Sequence, residues 1–421
     1  MVPDLSRRRL LAGGGALALG GAAGLGLANA GMLPGSTDDE GGRSIPEQVW
    51  HPPVSQAHAD ATLERLETTV DRAERLADRV ERRTGSAPRW SGDPSGNWLE
   101  DARSASDPRH RLDDATSGLA SAGHRIGEAK EVLGGTVSED ARERSLAVRS
   151  AADRLQDDLG DYPVSESPRD LAYLYFVEVE CDNASFLAPF EGSSESSTWG
   201  LSEFHARLLR AEQALANARY YRDRYQELLD EQPVPVRTDV RAAYSTLDQE
   251  IEAVVPAGEA RAAARADVDE TTRLYRVAER KLYQTCYDLG YDHVSGQVDG
   301  EAGHEVQRLV DTGRELLTRR AFQFADAELD VEPDDESFDR SRAGEAATRA
   351  RELYHETRSE YTSPLAGLLI EPAANRILVG DSRTDFGHTD ENYLKARLYY
   401  LVAIGILQEV GDVLSIVRVS E

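Results

Sequence analysis

The chain has 421 residues, 76 of them Asp or Glu against 48 Lys or Arg, for a formal net charge of −28. That balance repels phosphate backbones and anionic lipid, and no Lys/Arg-rich patch interrupts it, so nucleic acid is excluded as a partner. Apolar residues make up 40% and mean hydropathy is −0.52, which excludes a polytopic membrane protein and leaves ample material for a buried core.

Residues 1–30 differ from the rest. Ser6-Arg7-Arg8-Arg9-Leu10-Leu11 precedes a weakly apolar, Gly/Ala-rich run that ends in Ala28-Asn29-Ala30, a small-x-small cleavage pattern. Seven glycines (13, 14, 15, 20, 21, 24 and 26) keep the run poorly hydrophobic. This resembles a twin-arginine export signal, with Leu10 where Phe is common and Ala12 where Lys is frequent. The resemblance implies that Arg7 and Arg8 are read by the export route, that the chain crosses the membrane folded, and that cleavage follows Ala30. Retention as an N-terminal anchor is the alternative, and it is the one route by which this chain would touch a membrane. No Cys follows the run, so a lipoprotein anchor is excluded. Beyond it, Lys130, Lys281 and Lys395 are the only lysines. Such an acid-rich, Lys-poor composition resembles proteins of extremely halophilic archaea, where hydrated carboxylates keep a surface wet in molar salt.

Residues 31–56 read as a disordered linker rich in Gly, Asp and Pro. Helical periodicity then takes over. The first helix spans 57–83, with apolar or small residues at 63, 66, 70, 73, 77 and 80. Residues 84–107 read as a loop. The next helix carries the cleanest seam, Leu112, Ala115, Leu119, Ala122, Ile126, Ala129 and Leu133, whose small members allow close helix approach. Gly134-Gly135 stops it, and Ser138 with Asp140 opens a helix over 138–159. Residues 168–187 are apolar all round, as a central helix requires. One-sided patterning returns over 201–229, and Pro233 and Pro235 mark an internal boundary.

Helices at 237–254 and 257–289 follow, or one helix kinked at Pro256. Residues 302–329 and 337–361 read as a hairpin joined by an acidic turn. A long loop is expected over 371–388, with Arg376–Val379 extended, and a strongly apolar helix over 389–416. Ser415–Val419 is the other short extended candidate. The expected class is all-α: up-and-down bundles of about nine long helices with coiled-coil-like seams, elongated. The expected organisation is a signal at 1–30, a linker at 31–56, a bundle at 57–232, and a second bundle or its continuation at 233–421.

Chemistry-bearing patterns are sparse. Glu301 with His304, and Glu352 with His355, have the E-x-x-H spacing that puts two ligands on one helix face in ferritin-like carboxylate proteins. The acidic run from Asp326 to Glu336 lacks the glycine and spacing of an EF-hand loop. Cys181 and Cys286 are the only cysteines, two thiols or one possible disulfide. All four tryptophans, Trp50, Trp90, Trp98 and Trp199, fall in expected loops. No nucleophile elbow, zinc-protease helix, phosphate loop or C-x-x-C is present. The expected function is therefore non-catalytic: an exported helical protein acting by protein or ligand binding at the cell surface, with no cofactor. A ferritin-like metal-binding protein and a solute-binding or sensor ectodomain are the alternatives.

Overall fold

The computed structural model describes residues 45–46, 49–88, 90, 97–189, 200–267, 271–287, 303–385 and 387–419. The signal residues Arg7, Arg8, Ala28 and Ala30, the candidate ligand Glu301 and the aromatic Trp199 lie outside them. Among the described residues there are twelve α-helices and one ribbon of two-residue strands, so the class is all-α. The helices exceed the expected nine partly because two stretches expected as loops are helical. The chain forms two compact units. One comprises Pro52–Tyr162 and Tyr173–Gln232; the other comprises Met1–His51, Pro163–Ala172 and Pro233–Glu421. They are called here the N-terminal and C-terminal units.

The N-terminal unit begins with α1 (Gln56–Thr84), which Ser55 caps by accepting from the His58 N–H and Gly85 closes at φ 75°. Short α2 (Trp98–Ser104) lies within the expected loop, so Trp98 opens a helix. Helix α3 (Pro108–Val132) starts on an Asp107 cap with Pro108 in the first turn. Its seam is buried from Leu112 to Ala129, and Leu66, Ala102, Ala115, Leu119 and Ala122 form one cluster with it. Helix α4 (Glu139–Asp157) is capped by the Ser138 hydroxyl, which accepts from the Ala141 N–H. Helix α5 (Ser167–Leu187), which belongs to this unit from Tyr173 onward, and α6 (Leu201–Leu228) follow.

The contact between α3 and α6 is backbone-close. A Cβ added at Gly127 would sit 2.2 Å from Ser202 Cα, and one at Gly123 would sit 2.6 Å from Ala206 Cα. The same crossing caps α6. Gly200 offers no side-chain acceptor, so Glu131 of α3 accepts from the Leu201 N–H at 2.5 Å, placing a carboxylate on the helix's positive end.

In the C-terminal unit, β1 (Pro163–Val164) pairs antiparallel with β2 (Val234–Pro235). Helix α7 (Arg237–Ala266) runs through Pro256 without ending, so of the two expected readings the single helix through this proline holds, and it ends at an Asp267 cap. Then come α8 (Arg273–Tyr287), α9 (Glu305–Glu328), α10 (Ser341–Glu360), α11 (Pro364–Asp385) and α12 (Asp390–Val417). Helix α12 is the centre, packed by α7, α8, α9, α10 and α11. It is long and apolar enough to cross a bilayer, but 67% of its most apolar window is buried inside the fold.

Two expectations are corrected here. Helices α9 and α10 do not make a hairpin of mutual packing; each lays its apolar stripe on α12. Residues 371–388, expected as a loop with 376–379 extended, are helical to Asp385. Pro372 and Gly380 signal a break locally, yet Leu365 through Ala374 are all buried, and burial against α12 outweighs weak propensity. Gly380 serves that packing, since a Cβ there would meet the Tyr400 ring at 2.6 Å. Ser415 likewise lies in α12 rather than in an extended tail.

Charged pairs tie this unit together. Arg314 of α9 donates Nε to Leu368 O at 2.8 Å and Nη2 to Glu371 Oε2 at 2.6 Å, with Asp311 at 3.5 Å. Arg314 is 8% exposed and Glu371 7% exposed, which makes this a buried pair. Part of the acidic run is paired with arginine: Asp330 with Arg342, Asp326 with Arg261 and Glu328 with Arg349.

Candidate functional site

The N-terminal unit contains a cleft of about 410 Å³ between α1, α3, α4 and α6. Helical spacing aims its walls. Arg65, Thr68, Thr69 and Arg72 repeat every three or four residues along one face of α1, and His205, Leu208, Leu209 and Glu212 do so along α6. Ile126 of α3 and Arg144 of α4 close the sides. Ile126, Leu208 and Leu209 are its large apolar lining residues, and Glu64, Arg65, Arg72, Arg144 and Glu212 are its charged ones.

Glu212 is the hub. It accepts from Arg144 Nε and Nη2, both at 2.8 Å, and from Arg65 Nη2. Two guanidinium forks are thereby held in fixed orientation by one carboxylate. Beside them, Lys130 Nζ lies 2.9 Å from His205 Nε2. Burial, then the positive charges of Lys130, Arg72 and Arg144, push the His205 imidazole down to about 3, so it is neutral and accepts from the lysine. Burial and the same two arginines lower Lys130 from its ordinary value.

A polar chain leads inward from this hub. Arg65 Nη1 donates to Gln213 Oε1 at 3.3 Å. Gln213 Nε2 donates to Thr62 Oγ1 and to Asn217 Oδ1, both at 3.0 Å. Asn217 Oδ1 also accepts from His58 Nε2 at 3.0 Å, and Asn217 Nδ2 donates to Glu180 Oε1 at 3.3 Å. His58 is stacked on Tyr220 with ring centroids 4.2 Å apart. Burial raises the Glu180 carboxyl to about 7; Asn217, Arg109 and Asn183 pull it down and Asp113 pushes it up.

Because the folded value lies above the ordinary 4.5, the proton bound by Glu180 stabilises the fold fully below pH 4.5, and this contribution is lost as pH rises through 7. Glu180→Gln is expected to remove that dependence. At pH 8 it should unfold with about 2 kcal/mol more resistance than the parent, allowing for partial exposure, and at pH 4.5 with none. Urea midpoints at the two pH values check this; parallel profiles for parent and variant would contradict it.

The residues singled out from sequence are placed as follows. Cys181 and Cys286 are both buried and both free. Burial pushes the Cys181 thiol well up and Cys286 up to about 12, so neither is a reactive thiolate. His304 precedes α9 at φ 59°, and Glu305 beside it is held by Arg237 and Arg241. His355 sits half-buried on α10 with its ring edge against Tyr354, and Glu352 is exposed. Among the described residues no group of three or more His, Cys, Asp or Glu is gathered for a metal ion. Trp50 packs on Gly367, while Trp90 and Trp98 are half-buried.

Sequence reasoning missed Arg65, Arg72, Lys130, Arg144, His205 and Glu212. One signal for them was present: Thr62, Thr69, Gln213 and Asn217 are polar residues at buried positions of apolar seams, and buried polar groups need partners.

Comparison with known families bears on both segments. A domain of unknown function, DUF8262, matches residues 57–232. A second, DUF8264, matches residues 190–419, more than half of the chain. The chain belongs to the DUF8264 family. No curated protein and no solved structure matches it. The cleft lies wholly within the DUF8262 match, and its α6 wall, with His205 and Glu212, lies within the DUF8264 match as well.

Proposed function

We propose that this chain is an exported, non-catalytic helical protein that acts by binding, and that the cleft between α1, α3, α4 and α6 is where a small ligand sits. The observation that carries this reading is the cleft itself: about 410 Å³, in the size range of small-ligand sites, with Arg65, Arg144 and Glu212 fixed by mutual hydrogen bonds among its lining residues. Its electrostatics favour binding over acid–base chemistry. The His205 imidazole, at about 3, is a poor proton acceptor at neutral pH. The segment Ser6–Leu11 and the Ala28-Asn29-Ala30 pattern support export, and the two family matches support a two-part chain.

The test is a thermal-shift panel of neutral, cationic and anionic solutes on the full chain, run beside turnover assays with hydrolase and oxidase substrates. One ligand class is expected to raise the melting temperature, with no turnover. Turnover of any substrate, or no stabilising ligand in the panel, would overturn the reading.

A further inference from the structure

We infer that the occupant of this cleft is a small oxyanion, a phosphate or a carboxylate, held by Arg72 and attracted by the surrounding positive charges of Lys130, Arg65 and Arg144. This inference rests on the cleft being a ligand site. It adds the chemical class.

The argument begins with charge. Acidic residues outnumber basic ones 76 to 48 over the chain, yet here the balance reverses. Arg65, Arg72 and Arg144 line the cleft and Lys130 reaches its His205, against Glu212 and the exposed Glu64 of its walls and Asp140 beside Lys130. Glu212 is already spent on Arg65 and Arg144. Among the described residues Arg72 makes no ion pair or hydrogen bond. Lys130 is set against an imidazole rather than a carboxylate. In so acid-rich a chain a lysine readily finds a carboxylate, as Lys395 does with Glu391 at 2.6 Å.

Like charges in excess of their counter-charges repel one another, and the cost is relieved when an anion enters. Burial is the larger cause of the depressed His205 and Lys130, and the positive charges of Arg72 and Arg144 lower both further. Geometry selects the anion. Arg144 Nε and Nη2 and Arg65 Nη2 are taken by Glu212, so the planar guanidinium of Arg72 is the group that meets the paired oxygens of a carboxylate or phosphate, with the Lys130 ammonium as a nearby point charge.

The test is isothermal titration of the full chain with inorganic phosphate and, separately, with succinate, at one fixed chloride concentration. One site per chain is expected for at least one of them, and the two arms tell the sources apart. Arg72 is exposed on α1, so Arg72→Ala should keep the fold, checked by circular dichroism, and weaken binding about tenfold or more. Lys130→Gln should do the same. On binding, the His205 imidazole is expected to shift its titration upward, read by proton resonance; a merely structural loss would not move it.

Heat from neither anion while the solute panel finds a neutral or cationic ligand would overturn the oxyanion and leave the binding reading standing. No ligand of any kind would remove both. Unchanged affinity in both variants, or equal affinity for chloride, would also overturn the inference.

Discussion

Glu371→Ala is expected to cost the C-terminal unit about 3 kcal/mol of stability. Arg314 and Glu371 are both under a tenth exposed and meet at 2.6 Å between α9 and α11. Removing the carboxylate leaves a buried guanidinium short of its nearest counter-charge. Asp311, at 3.5 Å, compensates only in part, which places the expected loss at the low end for a broken buried pair. The Leu368 carbonyl still accepts from Arg314 Nε, so local geometry persists while the charge is undercompensated.

Urea denaturation of the parent, Glu371→Ala and the double variant Arg314→Met with Glu371→Ala checks this. The double variant should recover most of the loss, because two apolar side chains bury no charge. Equal losses in the single and double variants would show that packing, not charge, sets the cost.

Gly127→Ala is expected to be as damaging, at about 3 kcal/mol. The reason is the partner atom. The new Cβ would meet Ser202 Cα at 2.2 Å, Leu201 O at 2.3 Å and Leu201 C at 2.4 Å, all backbone. No rotamer change relieves backbone contacts, so α3 and α6 must separate. Separation also pulls Glu131 away from the Leu201 N–H and uncaps α6. It opens the α3–α6 side of the cleft as well, so ligand binding should fall with stability.

The sign is what makes the experiment sharp. In an unpacked helix, Gly→Ala stabilises by about 1 kcal/mol. Gly344 of α10 has nothing within 4 Å of an added Cβ and provides that control. Thermal unfolding should show Gly344→Ala at or above the parent and Gly127→Ala far below it. A stable Gly127→Ala would mean that the helices do not cross where described.

Much of the fold is legible because it is written in local spacing. The α3 seam from Leu112 to Ala129 is the buried face, Ser138 is the cap of α4, and the apolar run after Asp390 is a buried helix. Each depends on residues three or four apart, or on one hydroxyl and one nearby N–H. Gly123 and Gly127 fit the small-residue character of that seam, but which helix they admit, and that it is α6, depends on a segment about 80 residues on.

The errors fall where burial overrides propensity. Helix α11 contains Pro372 and Gly380, and read alone it resembles a loop; α12, which completes its core, comes later in the chain. Pro256 left a break and a single kinked helix both open, and the helix continues through it.

The sequence by itself determined the all-α class, most helix positions and the acidic character of the chain, because composition and periodicity are local quantities. Only the tertiary structure decided the cleft. Arg65, Arg72, Lys130, Arg144, His205 and Glu212 come from four helices, and no spacing along the chain links one helix's residues to another's. Each alone reads as an ordinary charged or polar residue of a solvated face. Packing brings them within hydrogen-bond and Coulomb range, and only at that range does a basic cluster stand out against 76 acids.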